Sequence, residues 1–266
     1  MKFGKLCLTP VFIVIAGICS ACTEMKEGDQ FYIGISSSYL VDVYVNNEPV
    51  IISETGQFFE DITVFIKEGE NYIEATIRAD QPGQQHRAEI VIARGVDIQE
   101  SELVFSVRDI VLENEESKRI EGNFEANDLD FRTCFLEQAD EIYRLQDNDL
   151  RENVYALIQQ VFEAYEQFDF SALDDLLYAS NDCYWEVDQE VRDIERNLVR
   201  SEMQIELSSL EDLELFFGEK TVLVMRKEGG AMIQSYRHDH REFSMPRIEL
   251  EKLWVMKVAS QWYVVP

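Results

Sequence analysis

The sequence has few basic residues and little histidine. Its 24 Lys and Arg stand against 52 Asp and Glu, which gives a formal net charge of −28, and there are only three His. Such acidity argues against nucleic acid or an anionic membrane surface as a general partner. A Ser–His–Asp site would have to use His86, His238 or His240, and no sequence context around them supports that choice.

Motifs that identify a reaction are also missing. The chain has no glycine-rich dinucleotide or phosphate loop, no G-x-S-x-G turn, no H-E-x-x-H helix and no EF-hand loop.

What is present is an ordinary globular composition, with 46% apolar and 11% aromatic residues. This composition excludes wholesale disorder and disulfide-scaffold architecture, and 266 residues exceed what one core usually serves. We therefore expect two domains.

The sequence lacks an apolar run long enough to span a bilayer. Its opening apolar stretch runs from Leu6 to Ile18, 13 residues, behind Lys2 and Lys5. A membrane-spanning helix needs about 20 apolar residues, whereas a short apolar core behind basic residues is typical of a secretory signal. Residues 1–21 are therefore predicted to be a signal peptide.

Cys22 follows the small residues Ser20 and Ala21, and this ending resembles the signal of bacterial lipoproteins. The resemblance implies that Cys22 is acylated, becomes the first mature residue and anchors the chain to a bilayer without spanning it. Residues 22–30 would be a tether. Thr23 stands where an Asp would favour the inner membrane, so the resemblance favours an outer-membrane location facing the periplasm.

Removal of the signal would leave an acidic protein with few cysteines. Residues 1–21 contain two lysines and no acid, so 22 basic residues would face 52 acidic ones, a net charge of −30. Besides Cys22, only Cys134 and Cys183 would remain. In an oxidising compartment these two could form a disulfide, or they could pack as two buried free thiols.

Short alternating strands dominate residues 31–112. Val41, Val43 and Val45 alternate with polar residues before the turn Asn46-Asn47-Glu48-Pro49, and a strand is also predicted through Ile62, Val64 and Ile66. The segments 43–50 and 67–77 resemble bacterial immunoglobulin-like modules, which implies an all-β sandwich. Residues 113–132 are acidic with little apolar content, and we interpret them as a linker, with a solvated helix as the alternative.

Residues 133–266 change from helical to strand periodicity. An apolar stripe from Val154 to Tyr165 predicts a helix, and strands follow from Met203 to Val265. The segments 163–177 and 253–265 resemble the nuclear transport factor 2-like, or SnoaL-like, superfamily. The resemblance implies an α+β cone in which helices pack on a curved antiparallel sheet, and it leaves a homodimer open.

Two groups of residues are candidates for a site. His238 and His240 would share one face of a strand and could bind a metal ion if a third ligand approached, although the flanking Arg237 and Arg241 are more typical of a solvated face. Four large aromatic residues could line a pocket or belong to the core: Tyr184, Trp185, Trp254 and Trp262.

These patterns favour a membrane-anchored lipoprotein that acts as a non-catalytic interaction or ligand-binding module of the cell envelope. Its partner would be an envelope protein or a small molecule, and no cofactor is indicated. The alternative is a periplasmic enzyme that uses the cone cavity for proton transfer of the isomerase or hydrolase type. No spacing singles out an acid and a tyrosine for that chemistry.

Overall fold

A computed structural model of the protein describes residues 30–79, 87–95, 101–112, 116–127, 129, 134–142, 147–177, 203–237 and 249–265. Strands account for 57% of the structure and helices for 20%. The first group of strands is β1 Phe31–Val45, β2 Glu48–Asp61, β3 Gly69–Arg78, β4 Ala88–Arg94, β5 Glu102–Ile110 and β6 Ser117–Ala126. The helices are α1 Cys134–Gln138, α2 Asp147–Glu166 and α3 Phe170–Leu176. The second group is β7 Met203–Leu207, β8 Leu213–Phe217, β9 Thr221–Arg226, β10 Ile233–Arg237, β11 Glu249–Leu250, β12 Lys252–Val258 and β13 Gln261–Val264.

Strand β1 organises the first group. It pairs with β2 over most of its length, while its first half also pairs with β4 and its second half with β3. The β1–β2 register shifts between Ser37 and Val41, as expected of a bulge that bends the strands. The resulting sheet has the order β5-β4-β1-β3-β6, with β2 on β1.

The first sheet curves until its outer strands meet. The Phe105 ring of β5 lies so close to Gly122 of β6 that a Cβ there would stand 2.2 Å from it. The sheet is therefore nearly closed and barrel-like around one apolar core. The predicted immunoglobulin-like sandwich is wrong, because a bent β1 shared by β2, β3 and β4 makes one curved sheet. We call β1–β6 the barrel.

Two segments of the barrel differ from their sequence-based interpretation. The predicted linker, 113–132, contains β6, which pairs with β3 and places Phe124 and Ala126 in the core. The predicted strand around Val64 is a 3-10 turn, Thr63–Phe65. Its start is fixed by Asp61, whose carboxylate accepts a hydrogen bond from Thr63 N at 2.8 Å.

The C-terminal unit, which we define as α1–α3 with β7–β13, has a second core. The predicted helix is confirmed as α2, and its buried side chains share this core with strands of two sheets, β11-β10-β7 and β13-β12-β9-β8. The predicted α+β cone is wrong, since the described strands form two separate sheets in a mostly β protein instead of one curved sheet wrapped around helices. Within the described ranges, no helix has the length and apolar character to cross a membrane.

Candidate functional site

The barrel and the C-terminal unit meet at the β1–β2 hairpin. Asn46 and Asn47 form its turn with φ of 52° and 69°, and positive φ at both central positions is what a type I′ turn requires. Asparagine tolerates this left-handed backbone better than most residues. The turn directs Glu48, the first residue of β2, toward the loop between β8 and β9.

Glu48 is a carboxylate held by donors of the other unit. Its Oε1 accepts a hydrogen bond from Lys220 N at 3.0 Å. Its Oε2 accepts one from Thr221 N at 2.8 Å and another from Thr221 Oγ1 at 2.7 Å. Glu48 is 1% exposed, so these bonds connect the two units in a site shielded from water. We call this arrangement the joint.

The environment of Glu48 disfavours its charge. Burial raises the pKa of Glu48 to about 7, the donors from Thr221 and Lys220 oppose the shift, and the nearby Glu219 charge adds to it. Glu219 also contacts the hairpin, because its Oε2 accepts a hydrogen bond from Asn47 Nδ2 at 3.1 Å. A glutamate that titrates near neutral pH therefore lies at the contact between the units.

Gly218 allows the joint to close. A Cβ at this residue would stand 2.2 Å from Glu48 Oε2, 2.7 Å from Pro49 Cδ and 2.9 Å from Asn47 O. A real Cβ essentially never lies within 3.0 Å of such an atom, so a larger residue would force the hairpin away from the loop.

We expect Gly218→Ala to lower the free energy of unfolding by about 1–3 kcal/mol, the usual cost of overpacking a buried contact. Urea unfolding measures the loss. Gly34→Ala is the control: its Cβ would mainly meet the ring of Phe59, 2.6 Å away, which is 50% exposed and can rotate outward. Equal losses in the two variants would contradict the role assigned to Gly218.

A second contact joins β2 to β12 through Lys252. Its Nζ lies 2.6 Å from Glu54 Oε1 and 3.0 Å from Glu60 Oε2. The Lys252 side chain is 9% exposed, and those of Glu60 and Glu54 are 12% and 28% exposed. Burial lowers the pKa of Lys252, but the charges of Glu60 and Glu54 outweigh burial and hold that pKa above its ordinary value. The ammonium is thus a charged link between the units.

An aromatic contact lies between these two polar ones. Trp254 Nε1 donates a hydrogen bond to Pro49 O at 2.7 Å, and the Trp254 ring stands edge-on to Phe65 at 5.6 Å between centroids. A small apolar cluster continues from it through Met256 and Val265. Of the four candidate aromatics, Trp254 is therefore at the joint, whereas Trp262 packs against the C-terminal core.

The segment 134–142 also bridges the two units. Leu136 packs against the barrel core, and its carbonyl oxygen accepts a hydrogen bond from Lys220 Nζ. Ile142 is buried in the C-terminal core, and its N–H donates to Glu219 O at 2.8 Å. The contact between the units is therefore continuous from this segment to β12.

The other predicted site residues are not brought together here. Cys22, Cys183, Tyr184, Trp185, His238 and His240 lie outside the described residues, and for Cys134 only the backbone, in α1, is described. The disulfide and the metal site therefore stay predictions. Across the part of the chain that the structure describes, no group of three or more His, Cys, Asp or Glu is placed to hold a metal ion.

Sequence reasoning missed the joint. Glu48 falls in the predicted turn Asn46-Asn47-Glu48-Pro49, and Thr221 lies 173 residues away in the sequence. The available signal was a charged residue immediately before an apolar run: Glu48 precedes Pro49 and Val50, as Lys252 precedes Leu253 and Trp254.

The fold and the joint define a mostly β protein with two cores connected through buried polar contacts. Comparisons with protein-family models, with curated proteins and with solved structures found no match to this chain.

Proposed function

We propose that the protein is a lipid-anchored component of the bacterial cell envelope that acts as a non-catalytic interaction or ligand-binding module. Acylated Cys22 would hold it to the outer membrane, facing the periplasm. The barrel and the C-terminal unit would be presented together as one body, so that a partner meets a surface of fixed shape.

The proposal that the protein is non-catalytic rests on one observation: its buried charged side chains connect the two units. A general acid or base must reach the proton that it transfers. Glu48 is 1% exposed and its oxygens accept three hydrogen bonds, and Lys252 is enclosed by Glu54 and Glu60. These groups connect the two units, which supports a structural role for them.

The outer face of the barrel supports an interaction surface. Phe59 and Leu103 are large apolar side chains that are 50% and 51% exposed. Phe59 lies over Gly34 beside Val91, and Leu103 is opposite Ala93 in the β4–β5 pairing. The two side chains lie on the outer face of one sheet, on β2 and β5 with β1 and β4 between them, and exposed apolar residues that share a face are candidates for a protein contact surface.

The proposal is tested in a bacterial host with a labelled fatty acid and a photo-crosslinking residue at Phe59. We expect the label on the wild-type chain and its loss in Cys22→Ser, because the thiol is the acceptor. We also expect a discrete crosslinked product from Phe59 and none from Glu121, a half-exposed residue on β6. An unlabelled wild-type chain would overturn the anchor, and equal crosslinking from both positions would overturn the interaction surface.

A further inference from the structure

The joint can accommodate both protonation states of Glu48. Two of its three donors, Lys220 N and Thr221 N, are backbone N–H groups, which can only donate. The third is the Thr221 hydroxyl, 2.7 Å from Oε2, and a hydroxyl can donate or accept. A proton on Oε2 would therefore reverse this hydrogen bond and leave an oxygen for each N–H.

The charges around Glu48 favour the neutral form. Glu219, on the loop packed against Glu48, is negative, and Asn47 of the hairpin is neutral. Lys220, on the same loop, directs its ammonium to Leu136 O. The ammonium of Lys252 is held by Glu54 and Glu60. An ionised Glu48 is thus stabilised mainly by hydrogen bonds in a site with little water.

We propose that the joint is a proton-dependent clamp, in which neutral Glu48 holds the barrel and the C-terminal unit together and ionised Glu48 weakens their contact. This inference needs only the joint and goes beyond the proposed function: it can hold whether or not Cys22 is acylated. Its consequence is a module whose rigidity decreases from weakly acidic to weakly alkaline pH.

The direction follows from linkage. The folded joint raises the pKa of Glu48 from 4.5, its ordinary value, to about 7, mainly through burial. At pH values between 4.5 and about 7, the closed joint therefore keeps a proton on Glu48 that the opened joint releases. The stabilisation is fully present below about pH 4.5, is lost as the pH rises to about 7, and stays lost above it.

Hydrogen exchange of the purified full chain tests the clamp at the two amides that donate to Glu48, those of Lys220 and Thr221. After correction for intrinsic exchange, we expect their protection to fall about tenfold between pH 6 and pH 8 in the wild type. Glu48→Gln, a neutral side chain of the same shape, should show no such fall. The Ile92 amide, in the barrel sheet, is the internal reference.

Constant wild-type protection, or the same fall in Glu48→Gln, would overturn the clamp. A second measurement keeps the test independent of that variant. Carbon-13 NMR of the wild-type Glu48 carboxyl should show a titration midpoint near pH 7. A midpoint below about pH 5, where ordinary glutamates titrate, would also overturn it.

Discussion

Replacing Lys252 with alanine is expected to lower the free energy of unfolding by about 3–5 kcal/mol, the usual cost of removing one partner from a buried ion pair. The reason is that Glu54 and Glu60, 28% and 12% exposed, would be left facing each other without a cation. Urea unfolding at pH 7 measures this loss. The loss should decrease at pH 4, because Glu60, whose pKa is raised by burial, can then be neutralised by a proton.

Two controls separate burial from charge in this prediction. Arg87→Ala breaks an ion pair with Asp109 whose side chains are 79% and 76% exposed, and it should cost less than about 1 kcal/mol. A triple variant, Lys252→Met with Glu54→Gln and Glu60→Gln, removes all three charges and should recover most of the stability. If Lys252→Ala cost no more than Arg87→Ala, the buried link would not hold the units together.

Alternation of apolar residues predicted most strands because it reports one buried face. The segment from Met203 to Val265, which is predicted to contain strands, begins with the strands Met203–Leu207 and Leu213–Phe217. The same rule overlooked β6, where the inward positions are Ile120, Gly122, Phe124 and Ala126. Gly122 has no side chain to contribute, and the Phe105 ring of β5 occupies the space in front of it. When a side chain of another strand fills part of a strand's buried face, the sequence of that strand alone does not show the alternation of apolar residues.

The arrangement of the strands could not be predicted in the same way. β1 pairs with three strands because its register shifts between Ser37 and Val41, and no local pattern specifies that bend. The resemblances of short segments to known families therefore predicted a β-sandwich and an α+β cone. The described strands instead form a nearly closed barrel and two further sheets. Local propensity establishes strands, but long-range pairing decides the fold.

The candidate site was the least predictable part, because its members are distant in sequence. Glu48 looks like an exposed turn residue until the β8–β9 loop covers it. The absence of a Cβ at Gly218 makes that approach feasible, and nothing around this glycine in the sequence indicates a contact with the hairpin. Buried charged groups that connect two cores become visible only when both cores are in place.

Glu48→Ala is expected to lower the free energy of unfolding by about 2–4 kcal/mol at pH 6. The substitution leaves Lys220 N, Thr221 N and the Thr221 hydroxyl without the oxygens that accept their hydrogen bonds. An unsatisfied buried donor costs about 1–3 kcal/mol, and water entering the vacated space would recover part of that sum. Urea unfolding gives the total loss.

The loss should be smaller at pH 8, since the wild type there carries the cost of a buried charge that alanine removes. Glu121→Ala is the matched control: Glu121 is 52% exposed and pairs with Arg119 on the surface, so its removal should change stability by less than about 0.5 kcal/mol. In Glu48→Ala the Lys220 and Thr221 amides should exchange faster while Ile92 is unchanged. An equal loss of unfolding free energy at the two pH values would contradict this role. So would a loss of protection at the Ile92 amide before the Lys220 and Thr221 amides. Either result would show that Glu48 supports the barrel itself and does not join it to the C-terminal unit.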